Sequence, residues 1–266
     1  MALCSLHFCE EPVISGENGS GTIFFAGCNL RCVFCQNFEV SRNQIGVEIT
    51  TKRLAEIFEE LEQRGANNIN LVTPSHYALQ IVEALKIYKP KIPVLYNTNG
   101  YERKETLKML APYVDIYLTD FKYYSNEVAK RLSDVPDYFE VTTSALEQML
   151  QNQPQNVFDE NGLIKKGVIV RHLVLPNHSD DSVKIIKHLY EKFGNQILLS
   201  IMSQYVPMHL NENFQDINRT LKPLEYNRVV KCVRSLGFDG FVQELSSSYP
   251  SYIPNFNLEG VKNKND

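Results

Sequence analysis

No run of about 18 uninterrupted apolar residues occurs in the chain, so no membrane-spanning helix is expected. Its opening, Met1-Ala2-Leu3-Cys4-Ser5-Leu6-His7, has neither the basic cluster nor the apolar core of a secretory signal. Excess positive charge is also missing. There are 27 Lys+Arg against 31 Asp+Glu, for a formal net charge of −4, which argues against a nucleic-acid partner. Low-complexity tracts and close internal repeats are absent. What remains is 266 residues, 43% hydrophobic and 22% charged, the composition of a globular protein rather than a disordered chain. That length accommodates one large domain or two small ones, with a substantial core in either case. A cytoplasmic setting without a membrane partner is the expectation. In a reducing compartment, clustered cysteines point to metal or catalytic chemistry rather than disulfides.

Short β-rich runs alternate with helical patterns. Strands are predicted at 22–26, 69–72, 93–96, 114–119, 168–175 and 197–202, with a last extended piece at 240–244. Helices are predicted at 51–64, 77–88, 102–110, 125–132, 144–150, 180–193 and 224–236. In the first helix Leu54, Ile57, Phe58 and Leu61 recur at helical spacing, Thr50 or Thr51 serves as cap, and Gly65 ends it. Repeated strand–helix alternation predicts a parallel sheet with crossover helices. An eight-unit barrel takes about 250 residues undecorated, so the expected α/β fold is a partial (β/α)6 TIM-like barrel. The expected division is an N-terminal extension at 1–21, a core domain at 22–250 and a C-terminal tail at 251–266. In such a sheet the chemistry sits at the carboxyl ends of the strands.

Six cysteines are present: Cys4, Cys9, Cys28, Cys32, Cys35 and Cys232. Three of them form a C-x3-C-x2-C run, Cys28, Cys32 and Cys35, in the loop after the first predicted strand. Thiolates favour zinc or iron–sulfur clusters. A structural zinc site needs four closed ligands, and neither His7 nor Cys9 stands at zinc-finger spacing. Three cysteines suit a [4Fe–4S] cluster with one iron left open for chemistry. Cys4 and Cys9 read as ordinary thiols, and Cys232, among Val229, Val230, Val233 and Leu236, reads as core.

The flanks of that run are informative. The segment 19–27, GSGTIFFAG, leads into it, and Phe34 precedes the third cysteine. This pattern resembles the radical S-adenosylmethionine (SAM) superfamily, signature C-x3-C-x-aromatic-C. The nearest branch resembles homologues of pyruvate formate-lyase activating enzyme, which share the segment His7-x-x-Glu10-Glu11-Pro12-x-Ile14-Ser15-Gly16 and the run Thr73-Pro74-Ser75-His76. The resemblance implies a [4Fe–4S] cluster on Cys28, Cys32 and Cys35, and SAM bound at the open iron.

It also implies SAM contacts at the later strand ends. Many members carry Gly-Gly-Glu-Pro after the second strand, where this chain offers Thr73, Ser75 and His76. After the third strand Asn97 and Thr98 stand in an Asn-Thr-Asn-Gly run, where the activating enzymes have Asp-Thr-Asn-Gly. Asp120 and Lys122 match an Asp-x-Lys motif. Two residues apart on a strand, they share one face and pair or meet a charged ligand. Arg171 matches an arginine that helps hold SAM, Tyr205 is placed to stack on adenine, and His209 to reach the adenosine. No catalytic side chain is implied beyond the cluster and the SAM site. The implied activity is that of an oxidoreductase that activates a glycyl-radical enzyme, fed by a flavodoxin- or ferredoxin-type electron donor. Radical modification of a small molecule or peptide is the alternative. A non-catalytic electron-transfer or zinc-binding protein is the alternative of another class.

Overall fold

A computed structural model describes residues 1–208, 210, 212–245 and 256–261. The nine strands of the described chain are β1 (Leu3–His7), β2 (Ser20–Phe24), β3 (Ile69–Val72), β4 (Val94–Thr98), β5 (Ile116–Asp120), β6 (Val157–Phe158), β7 (Ile164–Leu173), β8 (Leu198–Met202) and β9 (Gly240–Val242). The α-helices are α1 (Pro12–Ser15), α2 (Phe38–Ser41), α3 (Thr51–Gln63), α4 (Ala78–Ile87), α5 (Lys104–Leu110), α6 (Asn126–Ser133), α7 (Tyr138–Asn152), α8 (Ser179–Phe193) and α9 (Pro223–Leu236). The sheet runs β1-β2-β3-β4-β5-β7-β8-β9, with β6 a side hairpin on β7. Only β1 and β6 run antiparallel to their neighbours. Among the described residues β1 and β9 do not pair, so the barrel stays open.

Alternation along the strands builds two environments. Outward residues such as Tyr96, Tyr117, Val168, Val170, Leu199 and Ile201 enter the main core beneath the helices. Inward residues change character as each strand advances. Leu95, Leu118 and Ile169 join Ile14 and Ile164 in an apolar plug. Two residues later on the same face stand Asn97, Asp120 and Arg171, all on a cavity wall. The period of two thus stacks a polar site on an apolar floor. For α3, the Thr50 Oγ1 accepts from the Arg53 N–H at 3.1 Å, and Leu54, Ile57, Phe58 and Leu61 are buried.

The first residues contribute more than an extension. Strand β1 pairs along its length with β2, from Leu3 opposite Phe24 to His7 opposite Ser20. Residues 256–261 lie over it, with the Cys4 N–H donating to Glu259 O at 2.9 Å and Arg53 reaching the Val261 carbonyl at 3.3 Å. The buried Cys4 thiol is pushed up to about 12 by burial, in keeping with an inert packing role. Cys232 on α9 packs against the main core. No described helix is long and apolar enough to cross a membrane.

Gly100 shows how tightly the strand ends are joined. Its φ is +84°, and an added Cβ would stand 2.2 Å from the Asp120 carbonyl oxygen and 2.8 Å from Thr142 Cγ2. A Gly100→Ala protein therefore carries both left-handed strain and overpacking. A stability loss of about 2–4 kcal/mol is expected, read as a lower urea midpoint at unchanged slope.

Candidate functional site

One cavity of about 700 Å³ opens at the carboxyl ends of the parallel strands. Cys28, Cys32, Cys35, Thr73, Asn97, Thr98, Asp120, Lys122 and Arg171 all line it. Ser75, His76 and Tyr205 do not. His209 lies outside the described residues.

The cysteine loop follows β2 and is anchored from several sides. Cys28 Sγ accepts from Asn99 Nδ2 at 3.3 Å and from the Leu30 N–H at 3.5 Å. Ser133 Oγ lies 3.0 Å from Cys32 Sγ, and Ser41 Oγ 3.2 Å from Cys35 Sγ. Burial raises the Cys28 thiol, and it pushes the Cys32 thiol up to about 12. Phe34 and Leu30 turn into a second apolar cluster with Tyr123, Tyr138 and Tyr205, which shields the loop from behind.

Facing the thiols are the strand ends. Asp120 and Lys122 form an ion pair. Burial, the largest single influence, would lower the Lys122 ammonium, but Asp120 together with Cys32 and Tyr138 more than offsets it and holds the amine charged. Thr73, at the end of β3, has φ +55°, a strained conformation for a β-branched residue. Its N–H donates to the Asn97 carbonyl at 2.9 Å and ties the two strand ends together.

Arg171 has partners that the sequence reading did not assign. Its Nε donates to Glu11 Oε1 at 2.8 Å and its Nη2 to Glu11 Oε2 at 2.6 Å, while Nη2 also pairs with Glu10. Asn70 Nδ2 donates to the other Glu10 oxygen at 2.9 Å. Burial opposes the charge on Arg171, but the two carboxylates hold its pKa above the ordinary value. Burial likewise pushes Glu11 up, and the guanidinium overrides it to leave a net lowering. The Nη1 edge makes no protein hydrogen bond among the described residues. Glu10 and Glu11 line the cavity as well. The only signal for them was the paired acid before Pro12 in the shared N-terminal segment.

Three of the expected residues stand outside the cavity wall. The Ser75 hydroxyl is taken by the buried Glu102, which also accepts from Thr98 Oγ1 at 2.5 Å and Tyr96 OH at 3.4 Å. Burial raises the Glu102 carboxyl, so these hydroxyls stabilise a costly buried acid rather than a ligand. His76 sits in a short 3-10 turn, Ser75–Tyr77, that leaves it exposed outside the cavity. Tyr205 is 1% exposed, donates to the Ile217 carbonyl at 2.8 Å and packs against Phe34 with ring centroids 5.9 Å apart, so it has no free face for adenine.

Three thiols on one cavity wall, each with a hydrogen-bonding neighbour, form a soft donor set. Among the described residues, no three His, Cys, Asp or Glu side chains close around a point as ligands of a single ion do. Three thiolates with no fourth protein ligand grouped beside them among the described residues fit a cluster that keeps one iron open better than a structural zinc, which takes four closed ligands.

Known proteins share both sequence and fold with this chain. Residues 22–190 match the family model described as "Radical SAM superfamily". Uncharacterized protein MJ0674 of Methanocaldococcus jannaschii is 33% identical over 243 residues, covering 88% of this chain and 67% of that protein. Streptococcus suis SuiB, in a crystal structure bound to precursor peptide SuiA, superposes with a TM-score of 0.54 at 14% identity, covering 88% of this chain and 51% of SuiB. Methylornithine synthase (PylB) superposes with a TM-score of 0.57 at 15% identity, covering 83% of this chain and 70% of that one. The chain thus spans about half the length of SuiB, and at these identities the two structures share its fold.

Proposed function

The chain belongs to the radical SAM superfamily, and on that footing we propose that it binds its cluster through Cys28, Cys32 and Cys35 and cleaves SAM reductively. The cofactors of the family are a [4Fe–4S] cluster and SAM. Held by these three thiolates, a reduced cluster would supply the one electron needed to cleave SAM to methionine and a 5′-deoxyadenosyl radical able to take a hydrogen atom from substrate. The observation that carries this reading is the convergence of the three thiols, the Asp120–Lys122 pair and Arg171 on one cavity.

Each group has a task there. Lys122 presents a fixed positive charge to the carboxylate of SAM, and Asp120 keeps that amine in place. Arg171, held from one side by Glu10 and Glu11, offers its Nη1 edge to the same zwitterion. Asn97 supplies hydrogen-bonding groups without net charge, while Thr98, its hydroxyl given to Glu102, lends only its place on the wall. Leu30, Phe34, Leu173 and Met202 are among the apolar parts of the wall, and they keep water from a reactive radical.

For substrate we favour a polypeptide, as in activation of a glycyl-radical enzyme. The rim of the cavity includes Gly240, Phe241 and Val242 of β9, the last strand of the sheet, so the reacting centre opens where an extended chain can approach. A flavodoxin- or ferredoxin-type protein is the proposed electron donor. In the test, anaerobically reconstituted protein is reduced and given SAM. 5′-Deoxyadenosine is expected, and its absence overturns SAM cleavage. Added glycyl-radical enzymes should then give a glycyl signal in electron paramagnetic resonance. Deoxyadenosine formation without that signal across candidate enzymes favours a small molecule or other peptide.

A further inference from the structure

We propose that Ser133 and Tyr123 form a buried hydroxyl relay onto Cys32 that sets how readily the cluster accepts an electron. The proposal rests on the reading of Cys28, Cys32 and Cys35 as cluster ligands. It begins at the end of α6. The last carbonyls of a helix have no partner within it, and here the cysteine loop uses two of them. The Val33 N–H donates to the Leu132 carbonyl at 2.9 Å, and the Arg31 N–H to the Ser133 carbonyl at 3.0 Å. These two bonds bracket Cys32, and its Sγ lands 3.0 Å from Ser133 Oγ. Behind Ser133 stands Tyr123, with its hydroxyl 2.6 Å from the same Oγ. Ser133 is 0% exposed and Tyr123 is 1% exposed.

The direction of this chain follows from protonation. A ligating cysteine has lost its proton and only accepts. Ser133 must then donate to Sγ, which leaves its oxygen to accept from Tyr123. Donors in series polarise one another, and a dry surrounding strengthens both bonds. Cys28 accepts from Asn99 and the Leu30 N–H, and Cys35 stands beside Ser41; Cys32 is the one whose neighbouring hydroxyl is itself backed by a second buried hydroxyl among the described residues. Hydrogen bonds to cluster sulfurs tune the reduction potential. Reduction adds negative charge to the cluster and its sulfurs. A donor stabilises that charge, so the relay raises the potential and its removal lowers it.

The test is an anaerobic potentiometric titration of the reconstituted protein, without SAM, followed by electron paramagnetic resonance. Parent, Ser133→Ala, Ser133→Thr and Tyr123→Phe proteins are compared, with iron content measured on each. All four should take up about four irons per chain. Ser133→Ala should shift the reduction equilibrium about tenfold toward the oxidised form, about 59 mV for a one-electron couple. Tyr123→Phe should shift it the same way by about threefold, as expected for a bond one step removed. Ser133→Thr, which keeps the hydroxyl, should restore the parent potential. An unchanged potential in a fully loaded Ser133→Ala protein overturns the relay while leaving the ligand assignment standing. So does loss of iron in Ser133→Ala that Ser133→Thr rescues, because the hydroxyl then holds the ligand rather than tuning it. A parent protein that takes up no iron removes the ligand assignment, and the relay with it.

Discussion

A Cys32→Ala protein, reconstituted with iron and sulfide in the absence of oxygen, should retain almost none of the roughly four irons per chain expected of the parent. The cluster already leaves one iron without a protein ligand, so two thiolates would have to hold what three hold. Cys32 is also held firmly by the fold around it. It lies between two backbone bonds to α6, and its thiol faces the buried Ser133. Alanine there leaves a small void but no unpaired charge, and Ser133 keeps Tyr123 as a partner. The protein should therefore keep its helical signal in circular dichroism while losing iron and the visible absorption of the cluster. Cys4→Ala and Cys232→Ala are the controls. Both residues pack in the core away from the cavity, and their variants should load as the parent does. Iron content unchanged in Cys32→Ala would remove the ligand assignment, and with it the link between this loop and SAM cleavage.

The fold was largely legible because its signals are local. The apolar spacing of α3 and the Thr50 cap lie within one segment. The step from Leu118 to Asp120, or from Ile169 to Arg171, can be read from a period of two, and both polar residues do line the cavity. What could not be read depends on partners distant in sequence. Glu102 captures Ser75 across 27 residues. Glu10 and Glu11 reach Arg171 across about 160, and no pattern in either segment names the other. Tyr205 follows β8 in a loop without periodicity, and a tyrosine there satisfies its hydroxyl on a nearby carbonyl as readily as on a ligand. Strand β1 was missed because a five-residue edge strand, Leu3–His7, has little alternation of its own. It is recognisable only through its pairing with β2.

Arg171→Met should destabilise the protein by about 3–5 kcal/mol near neutral pH, the range for removing one member of a buried ion group. Side-chain exposure is 15% for Arg171, 9% for Glu10 and 6% for Glu11, so the two acids left behind would be poorly solvated. The sign of the pH dependence should also change. In the parent, Arg171 lowers the Glu11 pKa, so this contribution is present above the ordinary carboxylate range and fades as pH falls. Without the guanidinium, burial dominates and raises the folded-state pKa. The variant would then be relatively favoured in acid and lose stability as pH rises. Urea unfolding at pH 5 and pH 8 should show a smaller deficit at the lower pH. Replacing all three residues with apolar ones, as in Glu10→Leu, Glu11→Leu and Arg171→Met together, should recover much of the loss, because no unpaired charge remains. The triple variant should nevertheless bind SAM more weakly than the parent if the free Nη1 edge serves the ligand. Equal stability of Arg171→Met and parent at pH 8 would show that the ion group does not hold the N-terminal segment to the barrel. Weakened SAM binding in a fully stable Arg171→Met protein would make Arg171 a ligand group first and a structural one second.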